Sequence, residues 1–171
     1  NINDVIGGSD PDVLKGLLKV GVHNDVQVTA KDWGNILGGG HTVNQVFASA
    51  CSVGYSHDPA GSISLEDHQK NWQPLAQLVL EAGYEATILA ALQQAVKHNY
   101  EGASNTVYLT LLGGGVFENE DKWIEEAIIN ACEMVKECNL TVIIVGKTDN
   151  DILRAKRIVD QFNSQYPPGV R

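Results

Sequence analysis

Apolar positions along the chain fall into two kinds of pattern. Short runs rich in β-branched residues occur at Asp25 to Ala30 (DVQVTA), Thr106 to Leu112 (TVYLTLL) and Thr141 to Val145 (TVIIV). Each ends in a loop-forming cluster, and the three predict buried strands. Between them apolar residues recur at helical spacing: Trp72, Leu75, Leu78, Ala82, Ala86, Leu89 and Ala95 predict one face of a long helix. Another helix is expected after Asn119, read as its N-cap, with Glu120 and Asp121 in an acidic first turn and Trp123, Ile124, Ala127, Ile128, Ala131 and Val135 as its buried stripe. A last helix follows Asp149 to Asp151, turns Ile152, Ala155, Ile158, Val159 and Phe162 inward, and stops at Tyr166-Pro167-Pro168-Gly169. Near the start, Ser9-Asp10-Pro11 predicts a capped short helix through Val13, Leu17 and Leu18. The polar stretch Ser52 to Asn71 has no clear period and is read as a surface excursion.

Alternation of strands and helices implies crossover connections, an α/β fold with a largely parallel sheet, and helices on both faces. In such sheets ligands bind beyond the carboxyl ends of the strands. Two glycine triplets are expected there, Gly38-Gly39-Gly40 soon after DVQVTA and Gly113-Gly114-Gly115 directly after TVYLTLL. The 171 residues fit a single domain spanning 1–171.

Charge narrows the partners. Twelve basic against 21 acidic residues give a formal charge of -9, which repels a phosphate backbone and argues against nucleic acid. An anionic ligand must then be held by backbone N–H groups and helix termini, the service that glycine loops provide. Cys51, Cys132 and Cys138 are odd in number and lack CxxC spacing, so neither a disulfide framework nor a metal site is expected, and a reducing, cytoplasmic setting is the default. No apolar run approaches ~18 residues, which argues against a membrane span. Because Asn1 stands where a Met would begin a chain, a trimmed chain or a fragment of a longer one is expected.

Successive glycines let the backbone turn with positive φ and approach a ligand with no Cβ in the way, though a purely structural turn accounts for either triplet taken alone. The commoner nucleotide fingerprints fail. Gly146-Lys147-Thr148 has the tail of a P-loop, but Thr141 stands where its first glycine belongs, and no GxGxxG follows a strand.

The run VYLTLLGGGVFENEDKWIEEAI, preceded by LVLEAGYEATILAALQQAV, resembles the second half of the macrodomain fold, and DVQVTAKDWGNILGGG resembles its first half. The likeness is to the divergent branch around poly(ADP-ribose) glycohydrolase and to bacterial effector macrodomains that remove ADP-ribose from proteins. It spans roughly residues 4–165 in order of elements, with the two glycine loops as its specific part. It implies a three-layer α/β/α fold and a diphosphate-containing ligand, ADP-ribose or an ADP-ribosylated protein, with no cofactor; a secreted effector would leave the compartment open. The chain departs from the glycohydrolase pattern after Gly40, where His41-Thr42-Val43-Asn44-Gln45 stands in place of a Gln-Glu-Glu catalytic triplet.

Carried onto this chain, the resemblance makes Asp32 the residue that positions or activates water at the distal ribose; a turn Asp capping Trp33-Gly34 is the alternative. Asn35 is a second ribose contact or a conformational Asn. Gly38, Gly39, Gly40, Gly113, Gly114, Gly115 and Val116 are expected to cradle diphosphate and ribose, and Phe117 to pack over the sugar or to anchor in the core. Asp10 and Asp12 match the acid that accepts from the adenine amine, while helix capping explains them equally. His41 is a polarising group or a surface histidine. Glu118 reads as part of the acidic first turn, with a second acid or base as the alternative, Glu81 and Glu85 as a solvated pair, and Cys51 as core. The activity implied is ADP-ribosylhydrolase; the missing triplet makes a non-catalytic reader the alternative.

Overall fold

A computed structural model describes residues 2–29, 41–56 and 63–167. In chain order the elements are α1 (Ile2–Gly7), α2 (Pro11–Leu17), β1 (Gly21–Gln27), β2 (Thr42–Phe47), a 3-10 turn (Val53–Ser56), α3 (Leu65–Lys97), β3 (Thr106–Thr110), α4 (Asp121–Met134), β4 (Thr141–Val145) and α5 (Asp149–Gln165). Both helices and strands are present, so the mixed α/β class holds. The strands do not form one largely parallel sheet among the described residues. β1 pairs antiparallel with β2, and β3 pairs parallel with β4 in the register Thr106 to Thr141 through Thr110 to Val145.

The first pair corrects two expectations. DVQVTA is not a buried strand: the strand begins earlier, at Gly21, and is exposed except at Val26 and Val28, the latter just past its end. Its partner is the segment after Gly40, where β-branched Thr42, Val43 and Val46 form β2. No described helix separates the two strands, and antiparallel partners need no crossover. The ladder is bulged between His23 and Val26, where Asp25 takes a φ of 57° and donates its N–H to Asn44 Oδ1 at 2.9 Å. An Asp tolerates that left-handed conformation better than a β-branched residue does.

The core lies between β3, α3, α4 and α5. Leu80, Ile88, Leu109, Ile124 and Ile128 are its fully buried large side chains, joined by Trp123, Ala127, Ala131 and Ile158. The α4 stripe is as expected. On α3, Trp72, Ala82 and Ala95 of the expected stripe are buried or packed on the core, but Ala76, Leu80, Tyr84 and Ile88 are buried as well and Leu89 is exposed. This helix is nearly apolar all round and is contacted by α1, α2, α4 and β3, so its periodicity did not single out one face. By length and composition α3 would suffice to cross a membrane, against expectation, yet here it packs as the central core helix.

On α5, Ala155, Ile158 and Phe162 turn inward, but Ile152 and Val159 are exposed and Arg154 takes a buried place. The 52–71 stretch is a surface excursion only in part where described: Tyr55, Glu66, Asp67, Lys70 and Asn71 are exposed, but two residues are buried and a helix begins within it. Val53 is buried, His68 reaches Val53 O at 3.0 Å, and α3 starts at Leu65 behind an N-cap from Ser64. Glu81 and Glu85 are not simply solvated: both face Lys15 of α2, at 3.8 and 2.7 Å, which offsets part of their mutual repulsion and ties α2 to α3. Burial holds the Glu81 carboxyl above its ordinary range, with Lys15 opposing the shift.

Val107, Leu109, Val142 and Ile144 of the parallel pair face this cluster, while Tyr108, Ile143 and Val145 point outward and stay exposed. The described helices that reach the cluster therefore cover one face, not both. Replacing Ile128 by Ala is expected to cost about 2 to 5 kcal/mol, whereas Ile152→Ala stays within about 0.5 kcal/mol. Urea denaturation of the two variants measures this, and equal losses would contradict the assigned α5 face.

Candidate functional site

The β3 strand delivers the second glycine triplet to the carboxyl end of the parallel pair. Tyr84 of α3 fixes the exit. Its buried hydroxyl donates to Thr110 O and accepts from Leu112 N–H, both at 2.7 Å, and burial holds the phenol protonated far above its usual range. The chain then folds over Asn119, which is 4% exposed. The Asn119 carboxamide donates to Cys51 O at 2.7 Å and, at longer range, to Gly113 O (3.3 Å) and Phe117 O (3.4 Å). Asn119 N–H donates to Gly113 O at 3.1 Å. Asn119 is thus not the N-cap of α4. That place falls to Glu120, whose side chain makes no capping bond, so α4 begins one residue later than the sequence suggested.

The three glycines answer three different needs. Gly113 takes a φ of 81°, and a Cβ there would stand 2.6 Å from Ala50 Cβ and 2.7 Å from Asn119 Nδ2. Gly114 lies flat against Arg154, where a Cβ would fall 3.0 Å from Nη1, and its N–H is already used on Leu111 O. Gly115 alone is open, with nothing within 4 Å of its Cβ position. Among the described residues, the N–H groups of Gly115, Val116 and Phe117 have no acceptor. Three consecutive free donors beside an open glycine suit an oxyanion.

The rim comes from a second loop. Gly54 N–H donates to Phe117 O at 3.0 Å, stitching the 3-10 turn to the glycine loop. Phe117 packs against the core cluster while its ring meets Tyr55 edge-on at 6.0 Å, so the core-anchor reading holds for one side of Phe117. Tyr55 itself is 69% exposed. Glu118 is not in the first turn of α4: it adopts a φ of 52° and lays its carboxyl over Gly54, whose Cβ position is 2.8 Å from Glu118 Cδ.

Other expected residues lie elsewhere. Asp10 caps α2, accepting from Asp12 N–H at 2.9 Å, and Asp12 sits 3.2 Å from Lys15, so both have local work away from the glycine loop. His41 is exposed at the end of the β1–β2 ladder, its carbonyl accepting from Val28 N–H. Asp32, Asn35, Gly38, Gly39 and Gly40 lie outside the described residues. Cys51 packs against the core as expected, and burial raises its thiol pKa, which disfavours the nucleophilic thiolate.

The chain matches no family model, no curated protein and no solved structure.

Sequence reasoning missed Tyr84, Tyr55 and Arg154. The last carried a legible signal, a charge in register with Ile158 and Phe162 on an otherwise apolar stripe. Gly146-Lys147-Thr148, rejected as a P-loop, serves as the start of α5: Thr148 and Asp151 form a reciprocal capping box. If Tyr84 and Asn119 hold the loop, Tyr84→Phe removes two hydrogen bonds at the end of β3, Asn119→Ala leaves the Cys51 carbonyl unpaired, and each loses about 1 to 3 kcal/mol. Thermal unfolding measures the loss, and unchanged stability in both would show that the loop is held by something else.

Proposed function

We propose that the Gly113–Phe117 loop binds the diphosphate of a nucleotide ligand, ADP-ribose being the form best matched. The observation that carries the reading is the row of free N–H groups at Gly115, Val116 and Phe117 beside an unobstructed Gly115, at the carboxyl end of a parallel strand. With a net charge of -9, backbone donors are the economical way to hold such an anion. The exposed ring of Tyr55 and the edge of Phe117 offer apolar surface to a ribose or base. The macrodomain-like sequence around the loop favours ADP-ribose over other nucleotides. A three-layer architecture belongs to the same proposal: the outward face of β3 and β4, with Tyr108, Ile143 and Val145 exposed, has the apolar character of a sheet face that takes a second layer.

Binding is the part of the function that the described geometry supports. Hydrolysis at the distal ribose would fall to Asp32, and it is tested by release of ADP-ribose from mono-ADP-ribosylated protein: loss of release in Asp32→Ala supports a hydrolase, and no release by the unmodified protein leaves a reader.

Calorimetry with free ADP-ribose tests the proposal itself. Gly115→Val adds bulk where there is space, so its stability stays within about 0.5 kcal/mol. Its affinity is expected to fall at least about tenfold, near 1.4 kcal/mol. No heat of binding at millimolar ADP-ribose, or full affinity in Gly115→Val, would refute the loop as the ligand site.

A further inference from the structure

Arg154 is 7% exposed, yet its charge is thinly compensated. Its Nη2 lies 2.7 Å from Asp121 Oδ1 and its Nη1 3.8 Å from Asp151 Oδ1. Among the described residues neither Nε nor Nη2 makes a hydrogen bond of good geometry. Buried guanidinium donors left this way are costly, and Asp121, its nearest carboxylate, is 56% exposed in its side chain. Asp151 is not free to improve the match, because its other oxygen accepts from Lys147 and Thr148 N–H at 3.2 and 3.0 Å.

The guanidinium borders a recess of about 370 Å³ lined by Gly114, Asp121, Thr148, Asn150, Arg154 and Arg157 among others. The α5 N-terminus opens onto it. Thr148 satisfies Asp151 N–H, but the N–H groups of Asp149 and Asn150 have no acceptor among the described residues. The recess therefore combines a buried cation short of acceptors with free donors at the positive end of a helix.

We infer that this recess is a subsite for a phosphoryl oxyanion, with the Asp121 carboxylate standing in the free protein where the ligand's oxygens go. A guanidinium donates to carboxylate and to phosphate oxygens in the same forked geometry, so an exposed Asp121 can yield to a phosphate without rebuilding the site. The subsite is on the Arg154 side of Gly114, apart from the open face of Gly115, and needs only a phosphoryl group. It goes beyond the ADP-ribose reading and does not depend on it.

The test follows the Arg154 Nε–Hε resonance of the full chain by NMR during titration with inorganic phosphate at constant ionic strength, with chloride as control. A saturable shift is expected, with affinity about five- to tenfold higher in Asp121→Asn, which removes the competing charge but keeps Arg154. No shift in either protein, a shift that chloride reproduces, or weaker binding in Asp121→Asn would overturn the inference. A parallel titration with ADP-ribose separates the two readings. Saturation by phosphate with no binding of ADP-ribose upholds the subsite and removes the nucleotide proposal. ADP-ribose binding with Arg154 unmoved by phosphate does the reverse.

Discussion

The Asn119 carboxamide holds together two loops that are 68 residues apart in sequence, the Cys51 loop and the glycine loop, through bonds to Cys51 O, Gly113 O and Phe117 O. Of these carbonyls, Gly113 O and Phe117 O also accept from the N–H groups of Asn119 and Gly54, whereas Cys51 O relies on the carboxamide, and an unmet acceptor there costs about 1 to 3 kcal/mol. Much follows from that one side chain. Gly113 must be glycine because Asn119 and Ala50 occupy the space of a Cβ, and the chain must turn back at Glu118 to bring Asn119 underneath. The N–H groups of Gly115 to Phe117 take no part in the clamp and have no acceptor among the described residues.

Tyr84 supports the same geometry from α3, pinning the two backbone groups at the end of β3. Loop, strand and long helix thus form one braced unit. Arg154 adds a brace from α5 by packing on Gly114, so the two helices that follow the parallel strands converge on the glycine loop with their N-termini. At those ends the helix dipoles are met by Asp121, Asp149 and Asp151 in the first turns, with Arg154 between Asp121 and Asp151.

Sequence made the second half of this fold legible because there each signal agreed with the others. TVYLTLL and TVIIV are short β-branched runs closed by turns, and the α4 stripe from Trp123 to Val135 has a single apolar face. In the first half local signals competed. DVQVTA reads as a buried strand only if burial is assumed; its real partner, Thr42–Phe47, was hidden because the residues after a glycine triplet look like loop. On α3, apolar residues all round left the buried face undetermined. Asn119 matters for a reason other than the capping its position suggests. Asn before an acidic first turn is a good cap, and nothing in a linear pattern reveals carbonyls brought in from Cys51. Of the candidate residues, Gly113 to Phe117 lie in one loop at the end of β3, while Asp10 caps α2 and Asp12 pairs with Lys15.

The central claim is that the clamp presents Gly115, Val116 and Phe117 N–H groups to a ligand while Gly114 N–H stays bound to Leu111 O. Backbone amide shifts recorded during titration with ADP-ribose test it most directly. The account predicts large, saturable downfield shifts at Gly115, Val116 and Phe117, with Gly114 little changed. Shifts concentrated elsewhere, with these three amides unmoved at saturation, would contradict it.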